Sequence, residues 1–244
     1  LTRFDSVATI CLSRGKVNAI NSTMVAELSE TIDQLSRDDS VRGLVLTGQG
    51  KFFSFGLDIP ELFDYTPADF TVFLQQFCRL YRDLFLFPKP VVAAINGHAI
   101  AGGCILALAC DRRIMNDDGA RIGLNEITFG ASIFAGTVEM LRFAVGSKHA
   151  QEVLLTGRMF SPQEALAMQL VDQLTPSADV ASHSQSVTHK WAELAGPNFT
   201  GQKLLLRKEI ADHWSQREDS SIAEFVSIWY SPDTRARVRQ IQIR

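Results

Sequence analysis

The chain lacks a charge excess of either sign: 24 Lys and Arg stand against 27 Asp and Glu in 244 residues, a formal net charge of −3. A protein that grips nucleic acid through its phosphates normally shows a strong basic surplus, so no nucleic-acid partner is expected. The clusters Arg112–Arg113 and Arg235, Arg237 and Arg239 are short and interleaved with other residues, and they read as solvated faces before phosphate sites. Cysteine is scarce. Cys11, Cys78, Cys104 and Cys110 form no CxxC or CxxH spacing, and Cys104 and Cys110 lie in apolar sequence where a thiol acts as a small hydrophobe. A disulfide-stapled scaffold is therefore excluded, and a reduced, intracellular setting is expected. The first residues show no signal-peptide pattern, which points to the cytoplasm, with an organellar segment upstream of Leu1 left open.

Long uninterrupted apolar runs are also missing. The nearest approach, Val91 to Cys110 (VVAAINGHAIAGGCILALAC), follows Pro90, is interrupted by Asn96 and His98, and is broken by Gly97, Gly102 and Gly103. That punctuation predicts a buried strand, a glycine turn and a buried helix rather than a membrane span. Several chemical signatures are absent too. No G-x-G-x-x-G follows a strand, no phosphate-binding G-x-x-x-x-G-K-[ST] occurs, and Phe52-Phe53-Ser54-Phe55-Gly56 lacks the first glycine of a nucleophile elbow. The histidines at 98, 149, 183, 189 and 213 never stand at metal-ligand spacing with a carboxylate or thiol, so no metal is expected.

What is present is an ordinary globular composition, 46% hydrophobic and 21% charged, in a chain long enough to bury a core without staples. Strand-like runs at Val7–Leu12, Val41–Thr47, Val91–Ile95, Arg113–Met115 and Arg121–Gly123 are separated by helical patterns. One helix, capped by Asn21 or Ser22, carries Met24, Val25, Leu28, Ile32 and Leu35; another runs from Asp69 to Phe87 and stops at Pro88 and Pro90. Apolar strands without alternation, spaced by helices, indicate an α/β fold with parallel strands covered on both faces. Ser161-Pro162-Gln163-Glu164 is a capping box. Beyond Asp179 only helical patterns remain, at about 179–195, 200–217 and 220–243. The line between an α/β body (1–195) and a helical region (196–244) falls at Ala195-Gly196-Pro197.

Two glycine turns and one carboxylate carry the chemistry. Phe53-Ser54-Phe55-Gly56-Leu57-Asp58-Ile59 and Asn96-Gly97-His98-Ala99-Ile100-Ala101-Gly102-Gly103-Cys104 each follow a strand and lead into a helix. A turn that opens a helix presents free N–H groups, and two such donors on one carbonyl oxygen form an oxyanion hole. Taken alone, each glycine is better explained by a tight strand-to-helix turn, since such turns are common in α/β proteins. In Gly123-Leu124-Asn125-Glu126-Ile127 a carboxylate sits among apolar neighbours; burial would raise its pKa and suit it to proton transfer, whereas an exposed loop glutamate would do nothing.

In order and spacing, Phe53-Ser54-Phe55-Gly56-Leu57-Asp58, Ala101-Gly102-Gly103-Cys104 and Gly123-Leu124-Asn125-Glu126 together resemble the enoyl-CoA hydratase/isomerase (crotonase) family. The resemblance implies a crotonase-like spiral of β-β-α units, a helical C-terminal oligomerisation region forming a homotrimer or dimer of trimers, and an acyl-CoA thioester as substrate. Coenzyme A is then part of the substrate, and no separate cofactor is implied. Carried over by position, the N–H groups of Leu57 and Gly102 form the oxyanion hole and Glu126 is a catalytic glutamate. Phe55, Gly56, Asp58, Ala101, Gly103, Ile105 and Phe134 fall on the substrate-binding side, with Asp58 a helix cap rather than a catalyst.

One departure from the family's hydratases is informative. They carry a second glutamate directly after the Gly-Gly-Cys stretch, where this chain has Ile105. Water addition generally uses two carboxylates, whereas moving a double bond needs one base that takes a proton and returns it further along. The likeness is therefore to the monofunctional isomerases that convert 3-enoyl-CoA to 2-enoyl-CoA. Two alternatives stand beside it: a hydratase or lyase pairing Glu126 with Glu139 or a distant acid, and a catalytically weak acyl-CoA binder.

Overall fold

Polar caps and apolar periodicity place the elements. In the computed structural model, which describes residues 1–241, β1 (Thr2–Phe4) and β2 (Val7–Leu12) form a hairpin that leads into α1 (Ser22–Arg37). Asn21 caps α1 by accepting from the Met24 N–H at 3.0 Å, and the five apolar residues expected on its inner face are all buried. Next come β3 (Gly43–Gly48), β4 (Phe52–Ser54), α2 (Ile59–Phe63) and α3 (Pro67–Phe85), then β5 (Val91–Ile95), β6 (His98–Ile100) and α4 (Gly102–Ala109). A third unit holds β7 (Arg112–Asn116), β8 (Ile122–Gly123), a 3-10 turn at Glu126–Phe129, α5 (Ala135–Thr156) and α6 (Pro162–Ala167). The chain ends with β9 (Gln173–Thr175), a 3-10 turn at Ser177–Asp179, α7 (Val180–Ala192), α8 (Pro197–Trp229) and α9 (Pro232–Val238).

The strands form a six-stranded sheet ordered β1-β2-β3-β5-β7-β9, parallel except for β1, and a three-stranded parallel sheet ordered β4-β6-β8. Each middle unit gives its first strand to the large sheet and its second to the small one, so the chain climbs both sheets together. This is the expected spiral of β-β-α units. Every residue of β5 is buried, as a strand covered on both faces requires. On one face Val7, Val45 and Ala94 meet Val180 and Ala192 of α7. On the other, Ala8, Ile10, Leu44, Leu46 and Ala93 join the main core with α1 and α3. The Val91–Cys110 stretch is strand, strand and helix, and no helix among the described residues is long and apolar enough to cross a membrane.

Three expectations need correction. The short strands β1, β4, β6 and β9 are too brief to show a period, and two of them lie inside the segments read as glycine turns. Helix α5 went unrecognised: it has no polar cap, and it is interrupted at Gly146 (φ +73°, ψ 166°). The two helices expected at 200–217 and 220–243 are instead one continuous helix, α8, with the break at Ser231-Pro232. The polar run Glu218 to Ser221 does not end the helix because its side chains have partners across the fold. Glu218 accepts from the Gly136 N–H at 2.8 Å and Ser221 from the Ala135 N–H at 3.0 Å, supplying the cap that α5 lacks. Among the described residues from 196 on, the regular structure is thus all helical, and Trp214, Ile222, Phe225 and Trp229 belong to the same core as the sheet-covering helices.

Candidate active site

Two turns, following the neighbouring strands β4 and β6 of the small sheet, meet at one corner of a cavity. In the first, Gly56 takes φ +99°, a conformation that favours glycine. The loop is stitched to the chain before α1: Ile20 N–H donates to Gly56 O at 2.8 Å and Asp58 N–H to Ile20 O at 2.9 Å. Both bonds bypass Leu57, whose N–H has no protein partner among the described residues. In the second turn Ala101 adopts φ +49° and ψ −118°, a strained backbone for a residue with a side chain. Its N–H donates to Gly123 O at 2.9 Å and its carbonyl accepts from Ile105 N–H at 3.0 Å. Gly102, the first residue of α4, is left with its N–H unpaired among the described residues. A Cβ on Gly56 would lie 2.9 Å from Gly102 N, and one on Gly102 would lie 3.3 Å from Leu57 N. The turns are packed as closely as glycine permits, with their two free N–H groups side by side.

The cavity has a volume of about 280 Å³. Phe55, Leu57, Ala101, Gly102, Ile105, Glu126 and Phe134, all expected at the site, line it. Gly56, Asp58 and Gly103 do not; they shape its wall from behind. Gly103 lets α4 approach β4 so closely that a Cβ there would sit 2.3 Å from Ser54 O. Asp58 caps α2 by accepting from the Glu61 N–H at 3.3 Å and pairs with Arg14. This matches the capping role read from its position.

Glu126 opens the 3-10 turn after β8 and is 8% exposed. Its Oε2 is buried without a hydrogen-bond partner, and burial pushes its carboxyl up to about 7. It is the one ionisable side chain among the described residues of the cavity wall. Ile105, 1% exposed, occupies the position where a second carboxylate was missed in the sequence. Glu139 lies outside the cavity wall and is held by Arg217 at 2.6 Å and Arg142 at 3.3 Å. The described residues contain no group of three or more His, Cys, Asp or Glu able to hold a metal.

The rest of the wall was not read from the sequence. Phe225 and Trp229 of α8 reach back across the fold, and Phe134 stacks on Phe225 with ring centroids 4.8 Å apart. These residues are well over a hundred positions from the turns, and their local signal is an apolar density (Ile222, Phe225, Val226, Ile228, Trp229 and Tyr230) too high for one exposed helix face. Asn125, Thr128 and Phe129 come from the turn that carries Glu126.

Comparison with known proteins agrees with this geometry. The sequence pattern of the enoyl-CoA hydratase/isomerase family matches residues 2–225. The mouse protein named enoyl-CoA delta isomerase 1, mitochondrial, is 35% identical over 225 residues, covering 91% of this chain and 77% of its own length. The short-chain-enoyl-CoA hydratase of Clostridium acetobutylicum is 31% identical over 192 residues, 78% of this chain and 73% of that one. The crystal structure of human mitochondrial delta3-delta2-enoyl-CoA isomerase superposes with a TM-score of 0.92 at 30% identity, covering 96% of this chain and 92% of that chain.

Proposed function

The chain belongs to the enoyl-CoA hydratase/isomerase family of enzymes, and from that premise we propose that it moves a double bond from the 3- to the 2-position of an enoyl-CoA thioester. The N–H groups of Leu57 and Gly102 receive the thioester oxygen. Glu126, ionised, takes a proton from the carbon beside the thioester. The C–H electron pair then spreads into a dienolate whose oxygen carries the charge, and each donor of this kind is worth about 2.7–4 kcal/mol. The protonated Glu126 returns the proton at the far end of the dienolate, which places the new double bond in conjugation with the thioester. A carboxyl near 7 suits both halves of that exchange at neutral pH.

The observation that carries this reading is the solitary carboxylate. With Ile105 in the wall and Glu139 tied into ion pairs elsewhere, no second acid among the described residues lines the cavity to orient a water. This favours isomerisation over hydration, although relatives of both names exist. A pure acyl-CoA binder is disfavoured because an unpaired buried carboxyl costs stability and gives such a module nothing. The test is to incubate the protein with a 3-enoyl-CoA and, separately, with a 2-enoyl-CoA. Conversion of the first with little hydration of the second is expected; faster hydration overturns the one-carboxylate mechanism.

The assembly we propose is a homotrimer or a dimer of trimers. Ile222, Phe225 and Trp229 are buried in their own chain. The apolar residues that α8 leaves open are Leu205 at 85% and Leu206 at 64% exposure. Light scattering at micromolar concentration checks this, and a stable monomer refutes it.

A further inference from the structure

We propose that Thr234 is a positioning residue that sets the place of Glu126 by tethering the far end of the turn carrying it; this rests on reading Glu126 as the proton shuttle. The turn Glu126–Phe129 is a single 3-10 helix with half-exposed Ile127 on its outer side. It closes at Gly130, which takes φ +81° and donates its N–H to Ile127 O at 3.2 Å. Ala131 N–H donates to Glu126 O at 3.0 Å, so the backbone of Glu126 moves with this closing segment. The Gly130 carbonyl accepts a hydrogen bond from Thr234 Oγ1 at 2.9 Å. Thr234 is 4% exposed and reaches Gly130 so closely that a Cβ on that glycine would lie 3.2 Å from its hydroxyl.

A tether works only if its other end is fixed, and α9 is fixed. Ser231 caps the helix at Thr234 N. Arg235 donates to Phe63 O at 2.8 Å with its guanidinium 3.4 Å from the Phe63 ring centroid, and Tyr230 O–H donates to Tyr65 O at 2.5 Å. The start of α9 is thereby clamped to the end of α2 and the segment before α3. Thr234 itself does not line the cavity. Its loss therefore acts through the turn, moving Glu126 together with the wall residues Asn125, Thr128 and Phe129, and the displaced carboxylate slows proton transfer.

The experiment compares Thr234→Val, which keeps the shape and deletes the hydroxyl, with Thr234→Ser, which keeps the hydroxyl, using a 3-enoyl-CoA. One hydrogen bond's net worth converts to about a three- to tenfold fall in kcat for the valine variant, with KM within about twofold of native and kcat restored by serine. Native kcat in the valine variant overturns the proposal, as does a serine variant no better than valine, or a loss confined to KM. If the valine variant does not fold, Thr234→Ala is read by the same three outcomes. Glu126→Gln is assayed alongside. Full activity there removes the proton shuttle itself, whereas an inactive glutamine variant beside a fully active valine variant removes only the tether.

Discussion

At the scale of single residues, Glu126 is costly to the fold and useful to the chemistry. Its folded-state carboxyl titrates near 7, above its unfolded value, because burial disfavours the charge. The stability it contributes is therefore full in mild acid and is lost as pH rises through about 7. Glu126→Gln removes the ionisable group, so between pH 5 and pH 8 the variant's melting temperature should gain on that of the native protein. Thermal unfolding at the two pH values checks this, and a gap that moves the other way contradicts the burial argument. Isomerisation by the same variant should fall by about 10²–10⁴-fold while acyl-CoA still binds, since general acid–base groups contribute that much. Turnover by the native enzyme should rise through about pH 7 as the base ionises, which a pH–rate profile reads directly.

At the scale of elements, the start of α4 is where packing and chemistry meet. Gly102 must be small for the two turns to touch, and Gly103 must be small for the helix to lie against β4. A methyl at 103 meets the backbone of Ser54 at 2.3 Å, which no side-chain rotation relieves. Gly103→Ala should destabilise by about 1–3 kcal/mol, the usual cost of overpacking, and should lower turnover by shifting the Gly102 donor. Denaturant unfolding measures the first effect and steady-state kinetics the second. A variant as stable and active as native would mean that the contact is relieved elsewhere.

At the scale of the whole molecule, the C-terminal helices are part of the body. Asp111, at the end of α4, pairs with Lys203 at 2.8 Å and Arg207 at 3.1 Å from α8 and also accepts from Val91 N–H at 2.7 Å. Both cations are buried, and burial lowers the Lys203 ammonium to about 8. Removing one partner of a buried pair leaves uncompensated charge, so Asp111→Asn should cost about 3–5 kcal/mol in equilibrium unfolding. A loss below about 1 kcal/mol, the range of an exposed pair, would show that solvent reaches the cluster.

How much of this was legible in the sequence follows from range. Asn21, the Ser161 capping box and the inner face of α1 act within four residues, and each was read from the residues alone; the capping box forms as written, with Ser161 and Glu164 bonded in both directions. The three motif blocks located the two turns and Glu126 because a helix N-terminus and its preceding glycine are local features. The sequence by itself therefore determined the capped helices, the longer strands and where the two turns and Glu126 fall along the chain. The tertiary structure decided what no window of neighbours encodes. It made the two turns converge, removed Gly56, Asp58 and Gly103 from the wall, and brought Phe225 and Trp229 into it. It also carried α8 through its polar run, because Glu218 and Ser221 bond to residues 82 and 86 positions away at the uncapped end of α5. The pKa of Glu126 belongs to the same class: desolvation depends on everything that surrounds a group, and only the fold supplies those surroundings.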